Sequence, residues 1–337
     1  MLDSIFRAAG KKCGIIGTLG ITYGGRFIAP ELTTPDPVYL HSVLRDMADC
    51  GVEYVFMEVS AHALYFDKVA GLKFEAGIFT NCTQDHLDFF QDMSSYAVCK
   101  KKLFERGRCR RSVINIDDAV GREIARFAPS PMTYGLNNPA DVFAVDVEES
   151  IEGVKFILNL CDELYEVELH VPAVHNAYNA MAAATCAKLL GVNIETIAKG
   201  LAALRSVPGR LERVGCFNGA HIFVDFAHTP DGLEKSLSSL KKLCRGRLYC
   251  LFGCGGNRDK TKRPLMGAVA AKYADFCIIT SDNPRYEDPY DIIREIEDGV
   301  RPSGKSYVTV TDRETATEYA LNLLKEGDVL LVAGKGG

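Results

Sequence analysis

The sequence lacks what would take it to a nucleic acid or into a membrane. Its net charge is -5 over 337 residues, and no block of like charges forms a tail or a basic face, so no nucleic-acid partner is expected. No apolar run approaches the roughly 18 residues of a membrane span, and the N-terminus has no signal-peptide layout, so no membrane insertion is expected either. The twelve cysteines include no C-x-x-C pair, which removes the common zinc and redox-dithiol arrangements. Scattered through apparent helices and strands, as Cys50, Cys186 and Cys277 are, they read as buried free thiols in a reducing cytoplasm. There is no internal repeat and no low-complexity tract.

What is present is an ordinary globular composition, 47% hydrophobic and 25% charged, long enough for two or three domains. In the last third, short apolar runs alternate with amphipathic stretches. "HIFVDFAH", "RLYCLFGCGG", "DFCIITSD", "SYVTVTD" and "DVLLVAG" read as strands, and the segments between them as helices. Such runs between helices indicate a parallel sheet covered on both faces, a Rossmann-like domain with functional loops at the C-terminal strand ends. Residues 1 to about 205 are less regular. "SIFRAAG" looks helical, "VEYVFMEVS", "FEAGIFTN" and "SVINIDD" strand-like, and three alternating stretches between 142 and 172 suggest a small antiparallel sheet. "NAYNAMAAATCAKLLG" is a helix stopped by Gly191, and the Pro208–Gly209 pair marks a hinge between domains at 1–207 and 208–337.

"DGVRPSGKSYV" matches the phosphate-loop pattern G-x-x-x-x-G-K-[ST] through Gly299, Gly304, Lys305 and Ser306. A phosphate loop follows a strand and opens a helix, whereas this stretch follows a helix and precedes a strand. It is a decoy.

Other segments carry real chemistry. Glu58 ends an apolar run in "MEVSAHAL", with Ser60 and His62 close behind, and "TNCTQDHLDFF" places Asp85, His86 and Asp88 after another. Acids and imidazoles at adjacent strand ends suit a shared divalent cation, although helix caps and surface charges explain the same spacing. The lysine run in "SYAVCKKKLFERG" reads by itself as a solvated face. "FGCGGNRDKTKRP" couples three glycines to Arg258, Lys260, Lys262 and Arg263, a pattern that lets backbone and cations approach a phosphate or carboxylate. "SDNPRYEDP" offers Arg285, whose planar fork fits a carboxylate, or else forms a plain turn.

Together and in order, "GIIGTLG", "TTPD", "MEVSAHAL", "TNCTQDHLD", "YAVCK", "INIDD", "HNAYNAMAA", "GRLE", "VDFAHTPD", "FGCGGNRDKTKRP", "DNPR" and "LLVAGKGG" resemble the Mur ligases, most closely the MurE type, over nearly the whole chain. The resemblance implies an α/β fold, with a central ATP-binding domain of P-loop NTPase type followed by a Rossmann-like C-terminal domain. It implies an ATP- and Mg²⁺-dependent, monomeric, cytoplasmic enzyme that adds meso-diaminopimelate to UDP-N-acetylmuramoyl-L-alanyl-D-glutamate through an acyl phosphate. Glu58 and His86 would be magnesium ligands, and a carbamoylated Lys100 would hold a second ion. Lys100, Lys260 and His86 would be catalytic. Asn176, Asn179, Arg210, Asp225 and Lys260 would hold ATP. Thr33, Thr34 and Ser60 would meet the muramoyl-dipeptide, and Arg258, Asn283, Arg285 and Gly334 the incoming amino acid.

The chain departs from that pattern in three places. A G-T-N-G-K-T-T loop would be expected just before "SIFRAAG", together with a uridine-diphosphate-binding domain. "GKGG" stands where the family reads G-K-G-H-E, and Asn257 replaces an acidic residue. The expectation is therefore a truncated chain that does not ligate by itself. The alternatives are a non-catalytic binding module of the same architecture and a lysine-adding relative, which Arg285 disfavours.

Overall fold

The computed structural model describes residues 1–83, 87–90 and 92–334. They form two units. The first comprises Met1–Glu148, Gly153–His170 and Val174–Arg205, and the second comprises Glu149–Glu152, Val171–Ala173 and the chain from Ser206.

The first unit opens with α1 (Leu2–Ala8), β1 (Cys13–Gly17), β2 (Gly20–Tyr23) and β3 (Arg26–Ile28). After α2 (Pro37–Asp49), β4 (Tyr54–Met57) pairs in parallel with β1, completing a sheet of order β3-β2-β1-β4. Then come α3 (Ala61–Tyr65), β5 (Phe74–Phe79), α4 (Leu87–Phe90), α5 (Met93–Lys101), β6 (Cys109–Asn115), α6 (Ala119–Ile124) and β7 (Pro131–Gly135). Three strands follow, β8 (Val142–Ser150), β9 (Gly153–Leu160) and β10 (Glu163–Leu169), and α7 (His175–Leu189) and α8 (Ile194–Ala203) close the unit.

Strands β5 to β8 are parallel, β9 and β10 antiparallel, in one sheet of order β10-β9-β8-β7-β6-β5. The alternating stretches between 142 and 172 thus extend the parallel strands; they are not a sheet of their own. In β9 the alternation is visible as buried Val154, Phe156, Leu158 and Leu160 with Lys155 exposed. The strands of the unit are divided between two sheets, with β4 and β5 as edges that pair on one side only among the described residues. Tyr54 and Phe56 of β4 and Ala76 and Ile78 of β5 nevertheless pack on one core, with Ile5, Phe6, Ala177 and Leu201 of the covering helices.

The second unit contains β11 (Glu212–Phe217), β12 (Ala220–Asp225), α9 (Pro230–Leu243), β13 (Leu248–Phe252), α10 (Lys262–Tyr273), β14 (Phe276–Ile279), α11 (Pro289–Val300), β15 (Tyr307–Thr309), α12 (Arg313–Leu323) and β16 (Val329–Ala333). Its sheet runs β11-β12-β16-β13-β14-β15 and is parallel except at β11. Every residue of β13 is buried, because Cys250 and Phe252 face α9, α10 and α11 while Tyr249 and Leu251 face α12. Strand β16 returns between β12 and β13, and open sheets of this kind bind ligands beyond the C-terminal strand ends near such a switch.

All twelve cysteines are free; Cys50 and Cys216 are exposed, contrary to the burial expected of them, whereas burial pushes the Cys186 and Cys277 thiols up to about 12, as suits inert core thiols. Lys305 follows a short 3-10 turn (Arg301–Ser303) and Gly304 at φ 67°, and leads into β15. It therefore lies at the opposite end of the sheet from the loops after β13 and β14. In a full-length ligase context, Lys305→Ala is expected to change the Michaelis constant for ATP by no more than roughly twofold, the scale of a surface substitution. Steady-state kinetics checks this, and a tenfold rise would restore the stretch as a phosphate site.

Candidate functional site

At the end of β4, the Glu58 backbone N–H donates to Ile16 O at 2.9 Å, fixing where its side chain emerges. The carboxylate Oε2 accepts from Thr18 N at 3.2 Å and Thr18 Oγ1 at 2.6 Å. Oε1 accepts no hydrogen bond from the described residues. Gly17 makes room for this arrangement: a Cβ there would stand 2.8 Å from the Glu58 carboxyl carbon. Thr33 Oγ1 lies 3.2 Å from Thr18 Oγ1. Thr34 is 2% exposed, and its hydroxyl donates to Glu58 O at 2.8 Å and accepts from Ser60 N at 3.0 Å. Thr34, expected as a substrate contact, straps the backbone that presents Glu58. Ser60 caps α3 by accepting from Ala63 N at 3.1 Å.

The exit of β5 is fixed by side chains. Tyr134 Oη donates to Phe79 O at 3.1 Å, Asn115 Nδ2 to Thr80 O at 2.7 Å, and Lys100 Nζ to Asn81 O at 2.8 Å. Cys82 N donates to Asp118 Oδ2 at 2.8 Å. The last residue of the edge strand and the three that follow it thus find partners, as unpaired backbone groups require. Lys100 also lies over the Tyr96 ring at 4.8 Å, while Lys101 turns outward to Glu123 at 2.5 Å. His86, expected as a magnesium ligand and catalytic residue, lies outside the described residues, as does Asp85. Among the described residues no three His, Cys, Asp or Glu side chains stand close enough to share an ion. The hard, open oxygen of Glu58 beside the Thr18 hydroxyl fits magnesium by donor chemistry.

Asn176 and Asn179 share the first turns of α7, where Asn179 Nδ2 donates to Asn176 Oδ1 at 3.1 Å. Tyr178 between them donates to Asp117 Oδ2 at 2.7 Å. Asp117 also accepts from Leu136 N at 2.7 Å, Asn137 N at 3.0 Å and Asn138 N at 2.9 Å. Burial works against its charge, yet the bonds from Tyr178, Asn138 and the backbone hold the carboxyl below the usual range. Burial, then Asp117, pushes the Tyr178 phenol up. "INIDD" therefore organises two surroundings, Asn115 and Asp118 on the Lys100 side and Asp117 on the α7 side. Its role was invisible beforehand because its partners lie up to 61 residues away.

In the second unit, the loops after β13 and β14 interlock. Gly256 N donates to Asn283 O at 2.9 Å, and Arg285 Nη1 to Gly256 O at 2.5 Å. A Cβ on Gly256 would stand 1.9 Å from Pro284 O, so the glycine serves loop-on-loop backbone packing as well as any ligand approach. Arg263, expected among the anion-facing cations, is 0% exposed. Its guanidinium donates to Glu287 from Nη1 and Nη2, each at 3.0 Å, and to Glu295 at 2.8 Å. Lys260 stands 3.3 Å from Glu287, Lys262 donates to His228 O at 2.8 Å, and Arg258 is exposed.

Asp225 is 7% exposed, and its two oxygens accept from Leu211 N at 2.7 Å and Ala227 N at 2.8 Å. Asp225, expected to help hold the adenosine, thereby ties the Leu211 and Ala227 backbone in place. Arg210 is exposed and lies over the Phe226 ring at 5.7 Å. Gly334, at φ 82°, donates its N–H to Asp225 O at 2.9 Å. Arg313, which sequence reasoning passed over, donates Nη2 to Ala333 O at 2.7 Å and buries Nη1 without a partner among the described residues.

Comparisons with known proteins bear on the whole chain. A family profile described as Mur ligase middle domain matches residues 1–187, and one described as Mur ligase, glutamate ligase domain matches 209–336. A protein of Caldanaerobacter subterraneus named UDP-N-acetylmuramoyl-L-alanyl-D-glutamate–2,6-diaminopimelate ligase is 42% identical over 337 residues, covering 100% of this chain and 70% of its own length. A solved structure with the same name is 31% identical with a TM-score of 0.74, covering 99% of this chain and 69% of that one. A MurF ligase of Thermotoga maritima in complex with ADP is 18% identical with a TM-score of 0.70, covering 99% of this chain and 72% of that one, a likeness of fold.

Proposed function

The chain belongs to the Mur ligase family, and from that premise we propose that it serves the ATP-dependent addition of meso-diaminopimelate to UDP-N-acetylmuramoyl-L-alanyl-D-glutamate. The observation that supports this choice of substrate is the interlocked pair of loops after β13 and β14, which holds Arg285 beside the glycine-rich turn. A planar guanidinium there suits the second carboxylate of diaminopimelate, which lysine lacks.

The glutamyl carboxylate attacks the γ-phosphorus of ATP, forming an acyl phosphate and releasing ADP. The diaminopimelate amine then attacks the acyl carbon, loses a proton, and inorganic phosphate leaves. Lys260 supplies positive charge toward phosphate, Arg258 lies toward the incoming amino acid, and Asn176 and Asn179 offer neutral amide groups to the nucleoside. Glu58, His86 and a carbamoylated Lys100 would hold magnesium, which would supply charge neutralisation on the phosphates when bound. Thr33, Ser60 and the strapped Glu58 backbone face the muramoyl-dipeptide, and Asn283 and Gly334 the amino acid. The reaction is placed in the cytoplasm with a monomeric enzyme. No described helix is long and apolar enough to cross a membrane.

The test is an omission assay on a chimera in which this chain replaces the matching region of the Caldanaerobacter relative. ADP release is expected to require both the muramoyl-dipeptide and diaminopimelate. Absence of ADP release with both substrates present would point to the non-catalytic module.

A further inference from the structure

We propose that Glu287 is a positioning residue for amino-acid recognition, locking the loops after β13 and β14 into one body and thereby setting where Arg285 stands. The inference rests on the substrate reading above and deepens it.

Three groups from the one stretch between β13 and the start of α10 converge on this carboxylate. Arg263 at the start of α10 gives it a two-pronged contact, Nη1 to Oε2 and Nη2 to Oε1, each at 3.0 Å. The Asn257 backbone N–H, in the glycine-rich loop, donates to Oε1 in a short hydrogen bond. Lys260 Nζ lies 3.3 Å from Oε2. Arg263 in turn reaches Gly255 O from Nη2 at 3.4 Å, so the ion pair touches the loop both directly and through its partner. The bonds from Arg263, then from the Asn257 amide and Lys260, hold the Glu287 carboxyl down to about 2, so it is ionised at any working pH.

The surrounding backbone needs such a lock. Asn257 and Arg285 both sit in the left-handed region, at φ 51° each, where residues other than glycine are held only by their surroundings. Asn257 Oδ1 accepts from Tyr286 N at 3.0 Å, the residue between Arg285 and Glu287. Arg285 therefore stands between two attachment points, its own bond to Gly256 O and the Tyr286–Glu287 link to Asn257. The bonds differ in permanence. Arg263 is wholly buried and its pairing is structural, whereas the Lys260 side chain is 61% exposed and can exchange Glu287 for a phosphate oxygen. Glu287 is thus the fixed end of the network, and Lys260 its movable end.

The experiment compares Glu287→Gln, which keeps size and loses charge, with the parent and with Glu287→Asp, which keeps charge and shortens reach. In the full chain, amide hydrogen exchange at Gly256, Asn257 and Tyr286 is expected to quicken at least about tenfold in Glu287→Gln, with the β13 and β14 amides unmoved. In the chimera assay, the KM for diaminopimelate is expected to rise roughly ten- to a hundredfold, while kcat and the KM for ATP change little. Glu287→Asp is expected to fall between parent and Gln in both readouts. If Glu287→Gln leaves loop exchange unchanged, or raises the two KM values equally, the proposal is overturned. Arg285→Ala separates the layers: if it leaves diaminopimelate KM unchanged, the substrate reading fails. Loop exchange then decides by itself whether Glu287 locks the loops.

Discussion

Lys100→Ala is expected to remove most ligase turnover from the chimera, by at least about 10²–10³-fold, the loss seen when one charge-stabilising group is taken from a reaction of this kind. The reasoning starts from its surroundings. Lys100 Nζ is not a solvated charge: it donates to Asn81 O at 2.8 Å and lies 4.8 Å from the Tyr96 ring centre. Asn81 O is itself held in place, because Asn115 fixes Thr80 O on one side and Asp118 fixes Cys82 N on the other. A carbamate on Lys100 keeps one N–H on Nζ, enough to preserve the bond to Asn81 O. Its two new oxygens replace a positive charge with a hard donor suited to magnesium. Alanine removes both the donor and the tether, so a short carboxylate such as acetate is expected to restore part of the activity. Lys101→Ala is the control. Its partner Glu123 is half-exposed, and such a surface pair is worth ~0–1 kcal/mol. Equal activity of Lys100→Ala and parent would return all three lysines to the solvated face.

Arg285→Ala is expected to lower kcat/KM for diaminopimelate by about 30-fold to several thousandfold, the equivalent of ~2–5 kcal/mol for a desolvated charge-assisted contact. Lysine should remain a poor substrate, because it offers nothing for the arginine to lose. Backbone geometry sharpens this prediction. Arg285 sits at φ 51°, where a side chain costs on the order of 1 kcal/mol that glycine avoids. Arg285→Gly should therefore be no less stable than Arg285→Ala in thermal unfolding, and equally poor with diaminopimelate. A residue kept at a strained position at some cost to stability is one whose side chain is needed there. If either variant uses diaminopimelate as well as the parent, the assignment of Arg285 is wrong.

How far the sequence could be read depended on the range of the interactions involved. The second unit was legible strand by strand, because a parallel strand buried on both faces, such as "LYCLF", reads as an unbroken apolar run between amphipathic helices. The short strands of the first unit were not: "CGIIG" and "GITY" carry glycines that weaken any strand signal. Residue types were read well and their occupations less so. Thr34 and Asp225 have the hydroxyl and carboxylate a ligand site needs, and both also hold backbone groups, which their sequence neighbourhoods did not announce. Arg263 looked like one more cation in a basic loop. Its burial follows from Glu287 and Glu295, 24 and 32 residues onward, and nothing local announces them. Asp117, in a stretch read only as strand-like, gathers three backbone N–H groups and a phenol.

The most direct test of the central claim, ligation through an acyl phosphate, follows one oxygen atom. The muramoyl-dipeptide, labelled with ¹⁸O in its glutamyl carboxylates, is turned over by the chimera with ATP, Mg²⁺ and diaminopimelate, and the released inorganic phosphate is analysed by mass spectrometry. Carboxylate attack on the γ-phosphorus predicts one ¹⁸O in each phosphate formed, in step with ADP and amide product. Unlabelled phosphate accompanying amide formation would contradict the account.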